Sequence, residues 1–171
     1  MQARTASTLV IGVLAALSCL LTAYVIMVPV WVVFIAWASF FAAGGGTSGL
    51  AKSLVMSVVG VIVGVLVVLA VQPFGGAAWS VAVAVGVGAA ILVALSAVKG
   101  LEFTPAGFLG FASLFGVLSA GGGGVLDPVS FTHPAVQVVV ALIIGAVFGL
   151  ASGVFSAALT AKRPAAVATG R

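Results

Sequence analysis

Very few side chains in this chain can do chemistry inside a membrane or a core. The aromatic run from Pro29 to Gly46, PVWVVFIAWASFFAAGGG, and its echo Thr104 to Gly124, TPAGFLGFASLFGVLSAGGGG, hold most of them. Phe34, Trp37 and Phe41 stand at i, i+3 and i+7, which is one face of a helix; Phe108, Phe111 and Phe115 repeat that spacing. Two such faces brought together would form a narrow slot for a flat small solute such as urea or an amide. Ser39 and Ser113 hold the same place in the two runs and would supply hydrogen bonds at the constriction. The alternative for the rings is helix packing or lipid contact, with Trp31 as an interfacial anchor. For the serines it is a hydroxyl bonded back to its own helix.

The elements that position these residues follow from composition. Of 171 residues 64% are hydrophobic and 5% charged, with a mean hydropathy of +1.46. A soluble domain carries about 25% charged residues, so this chain is too poor in charge to cover a water-facing surface. It reads as an all-α integral membrane protein. The apolar runs are helix-length rather than alternating ten-residue segments, which excludes an outer-membrane barrel. The single cysteine, Cys19, allows neither an intramolecular disulfide nor a metal site and reads as a small packing residue. The net charge of +4 comes from basic residues scattered through short loops, so no nucleic-acid surface is implied.

Six apolar segments stand out: Thr8–Met27, Val30–Ala43, Gly49–Gln72, Ala77–Val98, Ala106–Ala120 and Pro134–Ala161. The first exceeds a secretion-signal h-region and reads as a membrane helix. The second and fifth are short for a hydrocarbon core of about 30 Å at about 1.5 Å per residue. Helix breaks are expected at Gly44, Gly45 and Gly46 and at Gly121, Gly122 and Gly123, where non-helical backbone would complete the crossing. With six crossings and a cytoplasmic N-terminus, Arg4, Lys52, Lys99, Lys162, Arg163 and Arg171 all fall on the cytoplasmic side, as the positive-inside rule requires. Residues 162–171 read as a disordered cytoplasmic tail. Lys99 and Glu102 read as a solvated loop pair, and Asp127 and His133 as solvated residues of an outer loop.

An internal repeat organises the six segments. At an offset of 74, Phe34-Ile35-Ala36-Trp37-Ala38-Ser39-Phe40-Phe41 aligns with Phe108-Leu109-Gly110-Phe111-Ala112-Ser113-Leu114-Phe115, and span 1 aligns with span 4. Gly60 and Gly64 match Gly145 and Gly149 at an offset of 85. These glycines and Gly153 read as close-contact positions between helices. The chain is therefore expected to be one membrane domain of three helices plus three, with repeats over about 8–72 and 77–161. An odd number of crossings per repeat inverts the second half, and paired short segments in an inverted repeat point to a functional path near the midplane.

The aromatic segment ending Ala42-Ala43-Gly44-Gly45, Gly49-Leu50-Ala51-Lys52-Ser53, Phe103-Thr104-Pro105-Ala106-Gly107-Phe108 and Gly145-Ala146-Val147-Phe148-Gly149 together carry a family likeness. In these the chain resembles the YcdZ-like proteins, small bacterial inner-membrane proteins of unknown function. The resemblance implies a multi-pass location in the bacterial inner membrane and no substrate. The chain has no asparagine, so the Asn-Pro-Ala turns of aquaporins and the Asn-Pro motif of acetate-uptake proteins are missing. One histidine cannot supply the paired pore histidines of ammonium channels.

The membrane interior is expected to hold no Asp, Glu, Lys, Arg or His, Lys52 standing at the very start of its span, which argues against an ion-coupled pump. No nucleotide loop, metal cluster or catalytic triad can be assembled, so neither a cofactor nor an enzyme activity is expected. The expectation is a homo-oligomeric channel or facilitator, a trimer or hexamer in the bilayer, for small neutral solutes: urea, short amides, ammonia or protonated weak acids. The competing expectation is a non-transporting structural or accessory subunit.

Overall fold

A computed structural model describes residues 2–160; the tail read at 162–171, with Lys162, Arg163 and Arg171, lies outside the described residues. The chain forms α1 (Ala3–Tyr24), α2 (Val30–Ala42), α3 (Gly46–Val71), α4 (Ala78–Leu95), α5 (Thr104–Ser119) and α6 (Pro134–Thr160). A single 3-10 turn, Gln72–Phe74, follows α3. No strand occurs among the described residues. All six expected helices are present, with α1 and α3 starting earlier than the apolar segments suggest.

Proline and glycine set most of the boundaries. Pro29 is the N-cap of α2, Pro105 lies in the first turn of α5, and Pro134 opens α6, where a missing N–H costs nothing. α2 and α5 stop in the same way. Gly44 takes φ +93° while the Gly45 N–H bonds to Phe40 O and the Gly44 N–H to Phe41 O. Gly121 takes φ +85° while the Gly122 N–H bonds to Val117 O and the Gly121 N–H to Leu118 O. Both are Schellman ends, closed by a left-handed glycine. The glycine tracts therefore cap helices and turn the chain; in the first, α3 already begins at Gly46. They do not extend the short helices as unwound backbone.

The consequence is a large difference in length. The 13 residues of α2 and 16 of α5 span about 20 and 24 Å, short of a hydrocarbon core of about 30 Å. The four longer helices are each long and apolar enough to cross a membrane. Large apolar side chains face outward on them, among them Leu9, Val13, Leu20, Ile62, Leu66, Val83 and Val87. That is the surface of a membrane protein, since an exposed apolar area of this extent has no place in water.

Four helices make the centre. α3 packs most extensively on α5 and α6 on α2, with α3 and α6 also in contact; α1 leans on α6 and α4 on α3. Between α2, α3, α5 and α6 the space is filled by Val32, Val33, Ala36, Val61, Leu114, Val138 and Leu142. The closest approaches run through glycine. A Cβ on Gly60 would overlap the Gly107 carbonyl oxygen, and one on Gly110 the Ser57 carbonyl oxygen, joining α3 to α5. A Cβ on Gly145 would overlap the Val33 oxygen, and one on Gly149 would come within 2.6 Å of the Phe40 ring, joining α6 to α2. Gly153 differs from the expectation: nothing lies within 4 Å of its Cβ position, so it is not a contact glycine.

Backbone cannot yield as a side chain can. Gly60→Ala and Gly145→Ala should each destabilise by about 1–3 kcal/mol, the usual cost of overpacking. Gly153→Ala should be neutral or stabilise by up to about 1 kcal/mol through helix propensity. Thermal unfolding midpoints in detergent micelles read the difference.

Candidate functional site

The two aromatic faces acquire different surroundings. On α2, Trp37 is buried at 3% exposure between Phe34 and Phe148. Phe34 lies parallel to it, centroids 6.2 Å apart and 4° from coplanar; Phe148 of α6 lies 5.8 Å away, tilted by 52°. The indole Nε1–H donates to Ser152 Oγ at 3.2 Å, and the Ser152 hydroxyl donates to Gly149 O at 2.6 Å. An N–H buried in an apolar bundle must find an acceptor, and α6 supplies it.

On α5, Phe111 is buried at 7% exposure and packs with Met56, Val63 and Val67 of α3 and Leu92 of α4. Its ring pairs with that of Phe115 at 4.8 Å. Phe111 thus sits in the α3–α4–α5 cluster and Trp37 against α6, and no ring contact joins them. Phe34, Phe41 and Phe108 are 39–46% exposed and point outward; Phe115 is half-buried. The structure therefore gathers Phe34 with Trp37 and Phe111 with Phe115, but not the two faces with each other. The reason is the apolar layer of Val33, Ala36 and Leu114 that fills the centre.

The two serines also part company. The Ser113 hydroxyl donates to Leu109 O at 2.7 Å, a bond within its own helix. Ser39 Oγ is buried without a partner. The six glycines named as breaks occupy helix ends and turns, as described above.

Two residues to which the sequence assigned no role, Phe148 and Ser152, matter here, and Trp31 takes a different role from the one expected. Phe148 and Ser152 complete the Trp37 pocket; the signal was the row Gly145, Gly149, Ser152 at i, i+4 and i+7, which puts Ser152 on the face that meets α2. Trp31 is no simple anchor: its ring lies over Gly116 of α5, where a Cβ would collide with it, and so bridges the two short helices.

Charge is confined to the ends of the bundle. Glu102 is held below the ordinary carboxylate range by the backbone amides of Gly100 and of Glu102 itself, and then by the Lys52 and Lys99 ammoniums. Asp127 accepts a bond from the Gly124 N–H at 2.6 Å. His133, expected in solvent, is buried at the start of α6, with Nε2 3.3 Å from Val125 O and Nδ1 without a partner.

Two apolar grooves are present, about 420 Å³ between α3 and α4 and about 360 Å³ between α3 and α6. Neither is lined by a residue of α2 or α5.

With this geometry in view, comparison places the chain. A family model described as "Protein of unknown function (DUF1097)" matches residues 8–157, from α1 into α6. The chain belongs to that family. No curated protein and no solved structure matches it. Family membership thus covers all six helices and carries no activity with it.

Interhelical hydrogen bonds in membrane proteins average about 0.6 kcal/mol and reach about 1.7. Ser152→Ala should therefore lower stability by about 1 kcal/mol in micelles and move the Trp37 indole N–H proton resonance upfield, because its acceptor is lost. Ser39→Ala removes an unpartnered buried hydroxyl and should be neutral or stabilising. Unfolding midpoints of the two variants, compared with the wild type, check both.

Proposed function

We propose that the chain is a six-span protein of the bacterial inner membrane, built as an inverted repeat of three helices plus three, and that it acts as a passive facilitator for small neutral solutes. The observation that carries the repeat is the agreement of buried positions. The buried residues of α2, namely Val32, Val33, Ala36, Trp37, Ser39 and Phe40, map at an offset of 74 onto Ala106, Gly107, Gly110, Phe111, Ser113 and Leu114, all buried in α5. The eight buried residues of α6 likewise map at an offset of 85 onto buried residues of α3.

The contacts follow the same rule. Gly60 against Gly107 corresponds to Gly145 against Val33, and Gly64 against Leu114 corresponds to Gly149 against Phe40. Exchanging α1 with α4, α2 with α5 and α3 with α6 leaves the pattern of helix packing unchanged. The common neighbourhood of Lys52, Lys99 and Glu102 supports the orientation that puts these residues on the cytoplasmic side. Resemblance to the YcdZ-like proteins fits a family of unknown function.

The facilitator reading rests on the paired helices α2 and α5, both shorter than the hydrocarbon core and in corresponding places, where inverted repeats put their functional path. Charged side chains occur in the described spans only in their first two turns, Arg4 in α1 and Lys52 in α3, which suits urea, short amides, ammonia or protonated weak acids better than ions. In this arrangement Val33, Ala36 and Leu114 form a closed apolar constriction, with Ser39 as the free hydroxyl beside it. Exposed apolar faces on every long helix favour a homo-oligomer, a trimer or hexamer. The same closed packing favours a second reading, a non-transporting structural or accessory subunit, in which the constriction never opens.

Stopped-flow measurements on proteoliposomes separate the two. A facilitator raises permeability to at least one of urea, acetamide, ammonia or acetic acid above that of empty vesicles. Leu114→Ala should raise the rate further by shortening the side chain at the constriction. Rates equal to empty vesicles across the panel, for wild type and Leu114→Ala alike, would establish the accessory reading.

A further inference from the structure

The connection from α5 to α6 is held down at one point. From Leu118 to Thr132 no residue is buried, and Leu126 to Thr132 are all exposed. His133 is the first buried side chain after that run, at 7% exposure. The other hydrogen bonds of the loop are short in reach. The Gly121 and Gly122 amides close α5, the Asp127 N–H bonds to Gly124 O and the His133 N–H to Ser130 O, and Asp127 accepts from the Gly124 N–H. Among the described residues only the imidazole reaches further, from Nε2 to Val125 O across eight positions.

The ring fits its place in one protonation state. A carbonyl oxygen can only accept, so Nε2 carries the proton, and Nδ1 is a bare lone pair, buried and without a partner. A second proton would create a buried N–H with no acceptor. It would also put a positive charge at the start of α6, whose 27 residues present the positive end of their dipole there. An unmet acceptor is a modest cost; an unmet donor together with a buried charge is a larger one. No neighbour offsets it. The titratable side chains at this end of the bundle are Asp127, whose carboxylate is turned onto the Gly124 N–H, and Tyr24, 78% exposed at the end of α1. The α1–α2 connection, the α3–α4 turn and the helix ends they join carry no other, and neither ring nitrogen bonds a carboxylate. Arg4, Lys52, Lys99 and Glu102 lie at the opposite end.

We propose that His133 is a proton-sensitive latch: the neutral ring fastens the 121–132 loop to the start of α6, and protonation releases it. Imidazole changes charge between about pH 5 and about pH 8. The hold on the loop is therefore complete while the ring is neutral, at the upper end of that range, and is lost as the ring gains its proton toward the lower end.

A nitroxide attached at Val129→Cys, 84% exposed in the loop, reads the release in micelles of a neutral detergent, with Cys19→Ser removing the other thiol. In this labelled parent the ratio of mobile to immobile spectral component should rise by about fivefold or more from about pH 8 to about pH 5, the change expected for one lost hydrogen bond. His133→Gln keeps an N–H donor in the place of Nε2 and does not titrate, so the label should stay immobile throughout. His133→Ala should leave it mobile throughout, and Asp127→Asn should respond to pH as the parent does. A parent spectrum that ignores pH, a His133→Gln spectrum that still gains the mobile component, or a response abolished by Asp127→Asn overturns the proposal. Should His133→Ala fail to fold, the parent and His133→Gln decide it between them.

Discussion

Backbone lies against backbone where α3 crosses α5 and where α6 crosses α2, and the rest of the bundle is arranged around those two crossings. In hydrocarbon no hydrophobic force drives helices together, because lipid tails are as apolar as leucine; close packing must do it. Gly60 and Gly110 remove the side chains that would hold α3 off α5, and Gly145 does the same between α6 and α2. Each short helix is thereby clamped along a much longer one, the 16 residues of α5 on the 26 of α3 and the 13 of α2 on the 27 of α6. Trp37 and Phe111 are buried because the crossings turn one face of α2 and α5 inward. Phe34, Phe41 and Phe108 are left outward by the same rotation.

A short helix inside a membrane leaves its last carbonyl groups without water. The Schellman ends at Gly44 and Gly121 answer that need locally, folding the chain back so that carbonyls of the final turn accept bonds from the glycine amides. Hydroxyl groups follow the same logic: Ser18, Ser53, Ser80, Ser113 and Ser152 each donate to a carbonyl of their own helix. Against that background the Trp37–Ser152 bond is a link between helices, and the unpartnered Ser39 hydroxyl, one turn from Ala36, is an exception.

In the proposed repeat the scaffold is twofold but its contents are not. Equivalent positions carry Trp37 and Phe111, Ser152 and Val67, and the half-buried Phe148 and buried Val63. Hydrogen bonding and ring stacking tie α2 to α6, whereas aliphatic packing ties α5 to α3 and α4.

Much of this was legible in the residues. Apolar runs of helical length, broken by Pro29, Pro134 and the glycine tracts, determine six helices, because a bilayer admits no other open form of backbone. The match of Gly60 and Gly64 with Gly145 and Gly149 exposed the contact faces, since only glycine lets helices touch. Gly153 failed the same reading, because composition cannot tell which side of a helix meets a neighbour. The aromatic spacing put each triplet within about 60° of arc with Trp37 at one edge, and the boundary of burial falls there, leaving Trp37 inside and Phe34 and Phe41 outside. Whether Trp37 meets Phe111 or Phe148 depends on which helix crosses which, and that is decided by pairings of residues more than 100 positions apart. The sequence by itself determined the membrane solvent, the helices and the glycine seams; only the tertiary structure decided the partners of each ring, the buried state of His133 and the open groove, because these depend on how six helices share one volume.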